Sequence, residues 1–221
     1  MESLAFIREH FRPIQPSVQG EKGNVQYQEY APHKSLRHYI HCFWELATTE
    51  SLAQDFDYRV VSDGCIDVFY NVNEPCESFV MGFCDRYTEF PIGKDFCFAG
   101  VRFYPSVFPQ LFNISAKSLK NQDQALASIL PPLAQLIAGF TGEFRSAIPQ
   151  LEQYFQSILK LSPPSIDERF RNALMLTLQQ NGHLEIEREI DTGLSPRQLR
   201  RLFQYYIGTS PKSFCQVVRF Q

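Results

Sequence analysis

The 221-residue chain contains no apolar run near the ~18 residues that a membrane-spanning helix requires. Its nearest candidate, Ile129 to Phe140, is interrupted by Pro131, Pro132 and Gln135. The opening MESLAFIREHF has an acidic Glu2, no basic n-region and no long apolar stretch, so no secretory signal is expected. None of the six cysteines, Cys42, Cys65, Cys76, Cys84, Cys97 and Cys215, forms a C-x-x-C pair. Their spacing suits neither a zinc ribbon nor a small disulfide scaffold, so reduced thiols in a cytoplasmic protein are expected. G-x-S-x-G, P-loop and G-x-G-x-x-G motifs are all missing, as are repeats and low-complexity tracts. No enzyme activity, catalytic residue or cofactor is therefore expected.

What is present is ordinary globular material, 44% hydrophobic and 20% charged. Aromatic content is high at 14%, with 20 Phe, which favours a strand-rich or pocketed core over a simple helical bundle. At about 150 residues per domain, one or two domains are expected.

The chain reads as three parts. Ser3 to Phe11 suits a short amphipathic helix, broken by Pro13 and Pro16. From Val25 to Pro105 the text is strand-like, with runs at Val25–Tyr30, Ile40–Leu46, Asp57–Val61, Cys65–Asn71, Phe79–Phe83, Arg86–Phe90 and Phe96–Tyr104. Ser62-Asp63-Gly64 marks a turn between two of them. Many short strands imply a β-barrel or sandwich-like domain over residues 1–115. Val107 to Phe112 starts the helices, and residues 116–162 form a helical connector that Pro131-Pro132 must interrupt. A helix over Ser146–Leu161 carries Leu151, Tyr154, Phe155, Ile158 and Leu159, a stripe that fits an intramolecular core or, in a homodimer, a subunit seam. Residues 163–221 complete an α+β protein with an all-α end. Ser165 to Glu168 spells a capping box for a helix reaching Gln180, stopped by Asn181-Gly182. A second helix spans roughly Leu184 to Asp191.

Charge is unevenly spread. Residues 1–164 hold 13 Lys/Arg against 18 Asp/Glu, whereas residues 194–221 hold five basic residues and no acid. A basic end on an acidic body is a nucleic-acid signal. After the Thr192-Gly193-Leu194 turn, Ser195 caps a third helix, Pro196 fits its first position and Gln198 completes a capping box. At 100° per residue, Leu199, Leu202, Phe203 and Tyr206 share one face, and Arg197, Arg200, Arg201 and Gln204 lie opposite. An apolar back and an Arg/Gln front behind a glycine turn describe the second helix of a helix-turn-helix. Arg and Gln suit base edges as well as phosphates.

Gly193-Leu194-Ser195-Pro196-Arg197-Gln198-Leu199-Arg200-Arg201-Leu202-Phe203, followed by Gly208-Thr209-Ser210-Pro211-Lys212 and Arg219-Phe220, resembles the AraC/XylS family of transcription regulators. Phe43-Trp44, Ser62 to Asp67 and Gly100-Val101-Arg102-Phe103 resemble an N-terminal domain found in a subset of that family. The resemblance implies a β-barrel-like, cupin-like sensor or dimerisation domain, a helical connector and a DNA-binding module. Arg197, Arg200 and Arg201 would enter the major groove of double-stranded DNA, Gln198 and Gln204 would assist, and Lys212 would contact phosphate. The family's module has two helix-turn-helix units on a joining helix, and Gln221 falls inside that joining helix. One unit is therefore expected here. Arg188 and Glu189 stand where the family places an apolar residue and Ala.

Two further groups carry possible chemistry. His33, His38 and His41, with adjacent Cys42, lack the H-x-H and downstream Glu of a metal-binding cupin, so no metal is expected. In the strand-like text, Phe98, Arg102 and Tyr104 share one face, and Cys65, Asp67 and Phe69 share another. If both faces point inward, Asp67 and Arg102 form either a buried ion pair or a polar anchor for a small-molecule effector. Phe98, Asp67, Arg102 and Tyr104 are the candidate ligand-binding residues.

Overall fold

The structure, a computed structural model, describes residues 4–15, 23–84, 88–184 and 192–221. It is an α+β arrangement: an antiparallel β-sheet comes first and helices follow. Among the described residues the strands are β1 (Val25–Tyr30), β2 (Ile40–Thr48), β3 (Asp57–Val60), β4 (Ile66–Asn71), β5 (Ser78–Met81), β6 (Thr88–Pro91), β7 (Cys97–Phe103) and β8 (Asp123–Ala125). Six of them make one sheet in the order β1-β2-β7-β4-β5-β8, and β3 pairs with β6 as a separate ribbon. The larger sheet has β1 and β8 at its edges, so it is open rather than closed on itself. The helices are α1 (Ala5–His10), α2 (Val107–Phe112), α3 (Leu126–Ile129), α4 (Pro131–Ala138), α5 (Phe144–Leu161), α6 (Glu168–Gln179), α7 (Pro196–Tyr206) and α8 (Pro211–Phe220), with a 3-10 turn at Ala116–Leu119. Among the described residues no helix is long and apolar enough to cross a membrane.

Alternation along the strands sends side chains to two different layers. Phe43, Val68, Tyr70, Val80, Val101 and Phe103 face the helices and merge with their core. Cys42, Trp44 and Leu46 face the other way and join Val25 and Phe96 under the β3–β6 ribbon. A bulge at His41 sets this division, because the register slips between Ile40, opposite Phe103, and Cys42, opposite Arg102. Gly100 stands between Trp44 on β2 and Phe69 on β4. A Cβ there would lie 2.6 Å from the Val68 carbonyl and 2.9 Å from the Trp44 ring. The missing side chain lets both rings close over the strand, with centroids 6.3 Å apart.

The helical residues share the same core as the sheet. Tyr70 contacts Phe140 and Phe144, and Phe103 contacts Phe155 edge-to-face at 5.3 Å. Leu151 and Phe155 are thus intramolecular core, the plainer of the two readings of the α5 stripe. Phe170, Leu199, Phe203 and Phe214 extend that core into the last three helices.

Several boundaries differ from the expectations. β8 is an edge strand formed by Asp123-Gln124-Ala125, text that reads as helical connector. Helix α6 begins after Asp167, whose carboxylate accepts from the Arg169 amide, rather than at a Ser165 box. Asp167 wins because it caps and also pairs with the Arg169 guanidinium at 2.8 Å. Arg219-Phe220 close α8, whose N-terminus Ser210 caps by accepting from the Ser213 amide. The expected strand at Arg86–Phe90 is seen as Thr88–Pro91, and Arg86 and Tyr87 lie outside the described residues.

Replacing Gly100 with Ala should destabilise the fold by about 1–3 kcal/mol through overpacking. A lower urea midpoint with an unchanged slope, accompanied by a shifted Trp44 emission, is the expected result.

Candidate functional site

Between the ribbon and the sheet lies a cleft of about 210 Å³. Trp44, Tyr58, Phe69, Phe79, Phe90 and Phe98 form its aromatic walls. The sheet supplies four of these rings because alternate positions of β2, β4, β5 and β7 point to this face. Phe69 stacks on Phe79 at 5.5 Å and meets Phe98 edge-to-face at 6.4 Å. Asp67 puts a carboxylate among these rings, and Asp123, on β8, brings a second acid to the lining.

Behind Asp67 sits Arg102, 1% exposed. The two residues are direct register partners on β4 and β7. Arg102 Nε donates to Asp67 Oδ1 at 3.1 Å, and Nη2 donates to Oδ2 at 2.8 Å. Asp63 approaches the same guanidinium at 3.6 Å. Its other contacts fix it in place: the Cys65 amide donates to Oδ1, and Gln15 Nε2 donates to Oδ2 at 2.8 Å. Gln15 also holds both backbone groups of Val61. One cation therefore serves two carboxylates, and the cluster carries a net negative charge when both acids are ionised.

Burial works against the charge on Arg102, but Asp67 and Asp63 outweigh it and hold the guanidinium protonated. Burial also dominates at Asp67 and pushes its carboxyl up to about 6, against the pull of Arg102. The buried Trp44 Nε1 lies near enough to favour the ionised form of Asp67, without reaching hydrogen-bond geometry. Burial raises the Tyr58 hydroxyl to about 12, partly opposed by Arg102.

Of the residues expected at a ligand site, Asp67 and Phe98 line the cleft and Arg102 underpins it. Tyr104 lies elsewhere. It falls after the end of β7, its amide donates to the Tyr39 carbonyl, and its hydroxyl sits 3.3 Å from His41 Nδ1. Strand alternation stops at Phe103, so the face shared on paper is not shared in space. Sequence reasoning left out Tyr58 and Phe90, which reach the cleft only through the long-range β3–β6 pairing.

His33 turns to Ser35 and Gln156 on the surface and does not converge with His41. The one group of described residues able to hold a metal ion is Glu29, His41 and Cys42. Burial and the nearby Arg102 charge lower His41 to about 4, and burial raises Cys42. That positive neighbour opposes a second cation at this spot.

The other candidate surface is α7. Ser195 and Gln198 form a reciprocal capping box, and Pro196 occupies the first position. Leu199 and Phe203 are buried, while Arg197, Arg200 and Arg201 are exposed. Gln198 is exposed too, but its Oε1 is committed to the Ser195 amide and hydroxyl. Gln204 is half-buried, and Lys212 is exposed in the first turn of α8. Residues 185–191, which hold nearly all of the expected preceding helix and Arg188 and Glu189, lie outside the described residues. The α7–α8 pair is fastened to the N-terminal part of the chain. Tyr205 bonds Asn113 at 2.9 Å, and Gln221 bridges the Ile14 amide and the Ser62 carbonyl. Phe214 packs on Gly64, where a Cβ would lie 2.9 Å from the ring.

Residues 28–125 match the model of a family described as a domain of unknown function, DUF6597. The match runs from within β1 to the end of β8, and so takes in the sheet, the ribbon and the cleft between them. No curated protein and no solved structure matches the chain.

Asp67 ties stability to pH with an unusual sign. Its folded value, about 6, exceeds the ordinary 3.8, so the folded chain takes up a proton before the unfolded chain does. The wild type should therefore gain stability relative to Asp67→Asn as pH falls from 7 to 4.5. Urea denaturation of both proteins at the two pH values measures this, and a constant difference would refute it.

Proposed function

We propose that this chain is a DNA-binding, one-component transcription regulator of AraC/XylS type, acting in the cytoplasm. The observation that carries the reading is α7: a capped helix with an apolar back packed into the core and three exposed arginines in front. Arg197 and Arg201 would read base edges or clamp phosphates in the major groove, with Arg200 beside them. Lys212 would add a phosphate contact. Gln198 would serve chiefly to hold the helix start, and Gln204 would contribute from the flank. The β-rich domain, sandwich-like in its sheet-and-ribbon layering, would act as the sensor. The cleft at Asp67 would receive a small-molecule effector.

A second reading has its own support. The last three helices share one buried core with the sheet, an arrangement that also suits a ligand-binding protein without DNA activity, or one that pairs with a partner chain. The two readings differ in whether the arginine face has work to do.

Fluorescence anisotropy on DNA from upstream of the chain's own gene, against scrambled DNA across a salt series, separates them. Sequence preference that falls by about 1–3 kcal/mol in Arg201→Ala supports base readout. Equal weakening on both DNAs makes Arg201 a phosphate clamp. Absence of binding at low salt favours the ligand-binding reading.

A further inference from the structure

Resting on the reading of the cleft as an effector site, we infer that its ligand is a small organic cation: an amine carried on a single aromatic ring, with the ammonium against Asp67. Three observations converge on this class.

The first is charge. The described residues lining the cleft include two acids, Asp67 and Asp123, and no base. Arg102 lies behind Asp67 and is shared with Asp63, so the floor keeps an excess negative charge. Such a surface attracts a cation and repels a carboxylate. Asp67 is bound by Arg102 along one side, and its side chain keeps 14% of its surface exposed. A carboxylate has about four lone-pair sites, so acceptor capacity remains for an incoming ammonium.

The second is the walls. Six aromatic rings line the cleft that Asp67 shares, and the negative faces of such rings stabilise an ammonium or a quaternary nitrogen. The same rings bury the ligand's own ring by offset stacking or edge contact.

The third is size. A dry cavity of about 150 Å³ accommodates one benzene. The cleft, at about 210 Å³, has room for one ring and a short arm.

Trp44 is the chain's only tryptophan and lines the cleft, so its fluorescence reports occupancy directly. Three probes of matched size separate the possibilities: 2-phenylethylamine, 2-phenylethanol and 3-phenylpropionate. The expected result is saturable quenching by the amine, at least tenfold tighter than by the alcohol, with the carboxylate weakest. Asp67→Asn should remove the preference for the amine over the alcohol. Because that variant leaves Arg102 with Asp63 alone, Phe90→Ala on the outlying ribbon gives an independent check. It should weaken amine and alcohol alike while preserving the order between them. Amine binding no tighter than the alcohol, tighter binding of the carboxylate, or no saturable response to any probe would overturn the inference. Its fate is separable from that of the regulator reading. A chain that binds the amine but no DNA keeps the former and loses the latter, and the reverse outcome does the opposite.

Discussion

A fully buried guanidinium at the middle of the sheet governs much of this structure. Taking an arginine out of water costs several kcal/mol unless carboxylates and hydrogen bonds replace its hydration. Arg102 meets that cost through Asp67, directly across the ladder, and through Asp63 in the preceding turn. A one-residue slip of β4 against β7 would send Asp67 to the helix side and strand the cation. The charge therefore fixes the register of the two central strands, and with it which rings face the cleft. Asp63, in its turn, needs the Cys65 amide and Gln15, which anchors the segment after α1 to the Val61–Cys65 turn.

That turn is also where the sheet meets the C-terminal helices. Its Ser62 carbonyl accepts from Gln221, and its Gly64 makes room for Phe214. Gly64 needs to be glycine on two counts, the approach of that ring and a left-handed φ of 73°. The cleft floor and the arginine-bearing helix pair are thus linked by direct contacts: Asp67, Arg102, Asp63, the turn, then α8. Packed contacts transmit a change only if some member has two arrangements. Asp67 is the member whose charge partners would differ between an empty and an occupied cleft.

How much of this was legible in the sequence follows the range of the interactions. Alternation in Val25–Tyr30, Cys65–Asn71 and Phe96–Tyr104 located strands, and sharing of faces brought Asp67 and Arg102 together, because both signals are local. The capping box of Ser195 and Gln198 was equally readable, since all its partners lie within four residues. Tyr104 was misplaced by one step beyond the strand end, where alternation no longer holds. β8 was hidden because three polar-to-small residues pair through their backbone alone, and backbone pairing leaves no mark on side-chain chemistry. The ribbon wall of the cleft was invisible for a different reason. Tyr58 and Phe90 are separated by about thirty residues, and only the tertiary pairing of β3 with β6 brings them opposite each other.

The two charged features of the molecule are opposite in sign and differ in solvation. The arginines of α7 are exposed, so their attraction for a polyanion is long-ranged, screened by salt and largely insensitive to side-chain position. The Asp67 carboxylate acts among apolar rings, where screening is weak and geometry decides. If the exposed arginines gather an extended anion and the cleft selects a small cation, as proposed, the two attractions would not compete. A ligand large enough to neutralise the arginine face cannot enter the cleft, and a cation small enough to enter carries too little charge to screen that face. With the two signs apart, one exposed on the helix and the other sheltered beneath the ribbon, the chain would be able to respond to both proposed partners without either displacing the other.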